Sequence, residues 1–154
     1  MKKIGIISAI TMLFIHSAIA QEDKSTQDYK MALGVRFSSA DAAVNHSISF
    51  KYFLSEKTAV ETLFSFGDPF AIGLLVEKHK PILSNKFKWF YGAGGYVGFG
   101  GTRKVGAQGI LGMDYKVSSL PLNFSLDWKP ELNFYSEFSF EPAAVGLSAR
   151  FTLK

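Results

Sequence analysis

Val145-Gly146-Leu147-Ser148-Ala149-Arg150-Phe151-Thr152-Leu153-Lys154, the last ten residues of the chain, follow a period of two. Val145, Leu147, Ala149, Phe151 and Leu153 fall on one face; Gly146, Ser148, Arg150, Thr152 and Lys154 fall on the other. Successive strand residues point to opposite faces, so this run reads as a strand with one apolar and one small or polar side. The same alternation runs through the chain from Tyr29 onward. Tyr29, Met31, Leu33, Val35 and Phe37 oppose Lys30, Ala32, Gly34, Arg36 and Ser38, and Val44, Ile48, Phe50 and Tyr52 oppose Asn45, Ser47, Ser49 and Lys51. Comparable runs lie at 59–66, 70–79, 89–99, 108–116 and 122–129. Leu63, Leu75, Phe90 and Ile110 break the rule on the polar face, and His46 breaks it on the apolar one.

Turn residues separate the runs: Ser55-Glu56-Lys57, Gly67-Asp68-Pro69, Lys80-Pro81, Gly100-Gly101-Thr102, Ser118-Ser119 before Pro121, and Glu141-Pro142. About eight strands with short connections predict an all-β antiparallel up-and-down meander. An even count lets the first and last strands pair and leaves no open edge. Which face is outermost follows from residue size. The polar face is rich in Gly, Ala and Ser, with charges only at intervals. The interior of an eight-stranded barrel is just wide enough for side chains to fill, so it needs such small residues. The opposite face is large and apolar, with Tyr29, Tyr52, Trp89, Tyr91, Tyr115 and Trp128 near strand ends, where amphipathic rings meet a membrane boundary. This pattern favours a transmembrane β-barrel over a soluble periplasmic ligand-binding barrel, which would invert it.

The first twenty residues agree with export. Met1-Lys2-Lys3, the apolar run Ile4–Ile15 and Ser17-Ala18-Ile19-Ala20 are the basic start, core and small-residue exit of a secretory signal peptide. The expected organisation is a cleaved signal peptide at 1–20, a short linker at 21–28 and the barrel at 29–154. The formal charge of +4 includes Lys2 and Lys3, and the remaining basic residues are scattered, which argues against nucleic acid as a partner. The chain has no cysteine, so disulfides, cysteine-ligated metal and a lipidated cysteine are excluded.

On these features the chain resembles the small eight-stranded outer-membrane barrels of the OmpX and OmpA-transmembrane-domain kind. Trp89-Phe90-Tyr91-Gly92-Ala93-Gly94-Gly95-Tyr96-Val97-Gly98-Phe99 and Pro121-Leu122-Asn123-Phe124-Ser125-Leu126-Asp127-Trp128-Lys129-Pro130 carry the likeness. Ala149-Arg150-Phe151-Thr152-Leu153-Lys154 resembles the terminal strand read by the barrel-assembly machinery, although it ends on lysine rather than an aromatic residue. The resemblance implies outer-membrane lipid and that machinery as partners, a Gram-negative outer-membrane location, and a salt-bridged polar core.

With the apolar face outward, Lys30, Arg36, Lys51, Lys116, Lys129 and Arg150 are expected in the lumen with Glu61, Glu77, His79, Asp114 and Asp127. Charges confined there must pair. Lys51 is predicted to face Glu61 directly, with Leu54 opposite Thr58. Arg150, Glu77 and Asp114 are expected at similar depth, in one network. A closed lumen implies a structural envelope role; the alternatives are a narrow path for protons or small ions and a lipid-modifying enzyme. Enzyme chemistry is poorly supported. His46 lies across the strand from Ser47 and Ser49, and Glu77 with His79 lacks an apparent third metal ligand. Gly92-Ala93-Gly94-Gly95 has no following helix to make a phosphate loop. The expectation is therefore a non-enzyme without cofactors or metal, and Tyr135–Pro142, with Phe138 and Phe140, is the candidate partner-contact loop.

Overall fold

The computed structural model describes residues 28–39, 42–67, 70–100, 103–135 and 138–154. The expected signal peptide, most of the linker and parts of four connections lie outside these residues. Ten strand segments follow one another: β1 Met31–Ser38, β2 Ser47–Ser55, β3 Thr58–Ser65, β4 Phe70–Ser84, β5 Phe87–Phe99, β6 Lys104–Lys116, β7 Leu122–Trp128, β8 Glu131–Asn133, β9 Ser139–Glu141 and β10 Val145–Leu153. From β1 to β7 consecutive strands pair antiparallel, β10 pairs with β7, and β1 pairs with β10 from Met31↔Leu153 to Ser38↔Gly146. The ring β1–β2–β3–β4–β5–β6–β7–β10 is thus a closed eight-stranded up-and-down barrel.

The two short segments complete the last two staves. β8 continues β7 on β6 in one register, since Leu111↔Trp128 and Gln108↔Glu131 are pairs of the same frame. Only Lys129-Pro130 interrupts it. Proline has no N–H to give to the ladder, but its carbonyl still accepts from Gly109 N at 3.0 Å, and Lys129 N donates to Ala144 O at 2.8 Å. β9 pairs with β8 and leads through Pro142 into β10.

Side chains sort as the alternation requires. Leu33, Val35, Ile48, Phe50, Phe64, Ile72, Leu74, Leu111, Phe124, Leu126, Leu147 and Phe151 all face outward and are exposed. Arg36, Lys51, Glu61, Glu77, Lys129 and Arg150 face inward and are shut off from solvent. Charge is almost never fully buried unless paired, so the inward residues require partners within the lumen. Among the described residues no helix is long and apolar enough to cross a membrane, which leaves crossing by strands open.

Three local expectations need correction. Ser55, not Leu54, lies opposite Thr58, with a register shift between Phe53 and Ser55. Leu54 is taken up in that bulge, so Lys51 still faces Glu61. Val44 is fully buried rather than outward, because the connection from β1 to β2 folds Ala42, Ala43 and Val44 into the barrel mouth. The β4–β5 hairpin is paired down to Ser84↔Phe87, so the expected connection at 80–88 is reduced to Asn85-Lys86. That hairpin outruns β3, whose pairing with β4 stops at Thr58↔Lys78, and its tip residue Leu83 is 87% exposed.

Candidate functional site

The lumen is the place where chemistry-bearing side chains converge. Register brings the first group together: Lys51 on β2 faces Glu61 on β3, and Ala59 on β3 faces Glu77 on β4. Lys51 Nζ lies 2.8 Å from Glu77 and 3.6 Å from Glu61. The other oxygen of Glu61 accepts from Arg150 Nη2 at 2.5 Å. Arg150 Nε also donates to Ser49 Oγ at 2.6 Å, and its Nη1 reaches Ser125 and Asn123. Asn123 passes a hydrogen bond to Asp114 at 2.8 Å. His79 completes the circuit, with Nε2 2.9 Å from Glu77 and Nδ1 3.8 Å from Asp114. Its ring stacks on Phe90 at 5.0 Å and packs against Phe53 at 4.9 Å. With a carboxylate near each nitrogen, His79 links acids and is not aimed at a hydroxyl nucleophile.

The second group sits toward the opposite end. Arg36 grips Asp127 through Nη2 at 2.6 Å and Nε at 3.2 Å. Gly146 makes room for it: a Cβ there would strike the guanidinium. Lys129 pairs with Glu131, and that carboxylate accepts Ala43 N at 2.7 Å and Val44 N at 3.2 Å. Glu131 therefore anchors the inward-folded connection between β1 and β2. Leu63, Ala71, Leu75, Phe90, Tyr96 and Ile110 cluster with Ala43 and Val44 along the β3–β6 wall. The apolar residues that broke the alternation are this wall, and they fill the space that the ion pairs leave.

Of the residues singled out in the sequence, Arg36, Lys51, Glu61, Glu77, His79, Asp114, Asp127, Lys129 and Arg150 are inward and buried. Two need correction. Lys30 is exposed and lies over the Tyr52 ring at 5.6 Å, while Tyr29 turns inward. At the rim the exchange is favourable: the ammonium keeps water and an aromatic face, and Tyr29 caps the lumen edge-on to Phe53 and donates to Asp114 at 3.4 Å. Burial, and then the Asp114 charge, hold the Tyr29 phenol well above its ordinary range, so it stays a donor. Lys116 is half-buried at the same rim, its ammonium on the carbonyls of Val117 and Leu120. Sequence reasoning missed Glu131, and it placed Gln108 on the inward face without the Lys129 contact that the structure shows. Glu131 is two residues past inward Lys129, but Pro130 reads as a strand end. Among the described residues no group of three or more His, Asp or Glu is arranged to hold a metal.

The two rims differ in charge. The rim with the Glu56-Lys57 and Asn85-Lys86 turns carries Lys30, Lys57, Lys78, Lys80, Lys86, Lys88, Lys116 and Lys154 against Asp28 and Glu56. The opposite rim shows Arg103 and Lys104 with Glu141 among its described residues, and the aromatic side chains Phe134, Tyr135, Phe138 and Phe140 in the β8–β9 hairpin.

No family model, curated protein or solved structure matches this chain.

Glu131→Ala should free the β1–β2 connection and strand Lys129. Elastase is expected to cut near Ala42 and Ala43 at least about tenfold faster in the variant, as loss of a charged hydrogen-bond acceptor worth about 1.5–3 kcal/mol implies. An unchanged cleavage rate would show that Glu131 does not hold the connection.

Proposed function

We propose that this chain is an outer-membrane barrel whose lumen is closed by ion pairs and whose role is structural, without catalysis or conduction. One observation carries the reading: between the two rims the outward face is dominated by exposed apolar side chains, while Arg36, Lys51, Glu61, Glu77, Lys129 and Arg150 are sealed inside. β2, β4, β5, β6 and β10 run 9, 15, 13, 13 and 9 residues, at or above the roughly 9–11 that cross a bilayer as tilted strands. The short turns at Glu56-Lys57 and Asn85-Lys86 lie on the same side as β1's first residue and β10's last, which supports a periplasmic assignment for the lysine-rich rim. The closed lumen favours a plug over a path, because Arg150, Lys51, Phe90, Leu63, Leu75 and Arg36 are all large and fully buried.

The test is reconstitution. The chain without residues 1–20, unfolded in urea and diluted into phospholipid vesicles, should insert with a β-sheet circular-dichroism spectrum and resist added protease. Planar bilayers holding it should show no steady single-channel current. Defined conductance steps, lost in Arg150→Met, would replace the structural role by a narrow ion path.

A further inference from the structure

We propose that the outer wall where β3 ends beside the overhanging β4–β5 hairpin binds the phosphate of an anionic glycerophospholipid headgroup. This rests on the membrane reading above and deepens it. The wall is stepped there, since the β3–β4 pairing ends at Thr58↔Lys78, His79 N still donates to Lys57 O at 2.7 Å, and β4 runs on to Ser84 beyond that. A cavity of about 170 Å³ fills the step, lined by Lys57, Thr58, Lys78, Lys80 and Tyr91, with Glu56 the one carboxylate. Lys78 Nζ is fixed by Thr58 Oγ1 at 2.6 Å, which leaves that ammonium two further N–H donors and the threonine its own proton. Lys80 Nζ lies over the Trp89 and Tyr91 rings at 5.4 and 5.8 Å.

Charge complementarity selects the occupant. Three lysines against the single carboxylate of Glu56 leave the cavity lining with an excess of positive charge, which an added anion would offset. Both Lys78 and Lys80 stand on the outward face of β4, in line with Leu74 and Val76. A ligand held there has its polar end in the step and its apolar part along that wall. A diacyl phosphate has this shape, whereas a free phosphate would occupy only the cavity. The aromatic rings belong to the same depth, because tryptophan and tyrosine settle at headgroup level.

The chain holds its own reporters. Trp89 borders the step, and Trp128, at the end of β7, lies toward the other rim. Trp128→Phe leaves Trp89 as the sole fluorophore, and Trp89→Phe leaves Trp128. Each variant is placed in vesicles of phosphatidylcholine containing either brominated phosphatidylglycerol or brominated phosphatidylcholine, whose bromines quench nearby tryptophan. Trp89 is expected to prefer phosphatidylglycerol over phosphatidylcholine by at least about fivefold, the effect of one lysine near an anionic surface. Trp128 should show little preference. The Trp89 preference should vanish when Lys57, Lys78 and Lys80 are all changed to Gln, and should survive millimolar inorganic phosphate. Equal quenching of Trp89 by the two lipids, or a preference that outlasts the triple substitution, overturns the site. Loss of the preference in free phosphate would make it an inorganic-anion site instead. If neither tryptophan is quenched by either lipid, the membrane reading itself fails and the site falls with it. Native mass spectrometry of the chain with both tryptophans intact, released from mixed-lipid nanodiscs, repeats the comparison: retained phosphatidylglycerol supports the site, and equal retention of both lipids refutes it.

Discussion

Arg36→Met should destabilise the barrel by about 3–5 kcal/mol, the usual result of removing one partner from a buried ion pair. Asp127 would be left charged and 3% exposed without its salt bridge, while Lys129 on the same inward face is already held by Glu131. Arg36→Met combined with Asp127→Met should recover most of that loss, since two apolar side chains of similar volume can replace a buried pair almost neutrally. Lys51 and Glu61 are expected to behave differently. Lys51 also binds Glu77, and Glu61 also binds Arg150, so removing both leaves two stranded charges in place of one. The double variant Lys51→Met with Glu61→Met should therefore be no more stable than Lys51→Met alone. Urea unfolding in detergent micelles, read as two double-mutant cycles, gives the comparison. Equal rescue in both cycles would mean that the lumen is a set of separate pairs and not one closed pair beside a branched network.

Leu74→Arg should have the next largest effect. Leu74 is 49% exposed, level with Thr62 in the middle of β3 and paired with Gly95 on β5. In a bilayer, an arginine at that depth on the lipid side costs about 2–4 kcal/mol. Leu83→Arg, at the tip of the overhanging hairpin, should cost under about 1 kcal/mol, because the penalty falls toward the interface. The two variants, refolded into vesicles and unfolded in urea, separate depth from mere loss of a leucine. Were Leu74→Arg to raise solubility in water and leave the barrel spectrum intact, the outward face would be a soluble protein's surface and the membrane reading would be wrong.

The lumen was legible where the strands are regular. Arg36, Lys51, Glu61, Glu77 and Arg150 are inward because each sits at an alternate position of a regular strand, and side chains of a pleated strand have no third direction to take. The places where reading failed are the places where the backbone leaves that geometry. At Lys30 the chain bends before β1 begins, so Tyr29 and Lys30 exchange sides. At Leu54 a bulge absorbs one residue and moves the turn without moving Lys51 from Glu61. At Pro130 the ladder loses a donor yet keeps its frame, which hid Glu131.

The amino-acid sequence by itself determined the eight staves, their handing of charge to one face and apolar bulk to the other, and the Lys51–Glu61 alignment. These depend on neighbours one or two residues apart, or on a single tight turn. Only the tertiary structure decided which charges share a partner. Arg150 and Glu61 are 89 positions apart, and Arg36 and Asp127 are 91. Such pairs exist because β10 closes on β1 and brings the far side of the ring across a lumen one side chain wide. The inward fold of Ala42–Val44 onto Glu131 and the step beside the β4–β5 hairpin come from the same source. Both arise where staves of unequal length meet around a closed ring, and ring closure is a property of all the strands together.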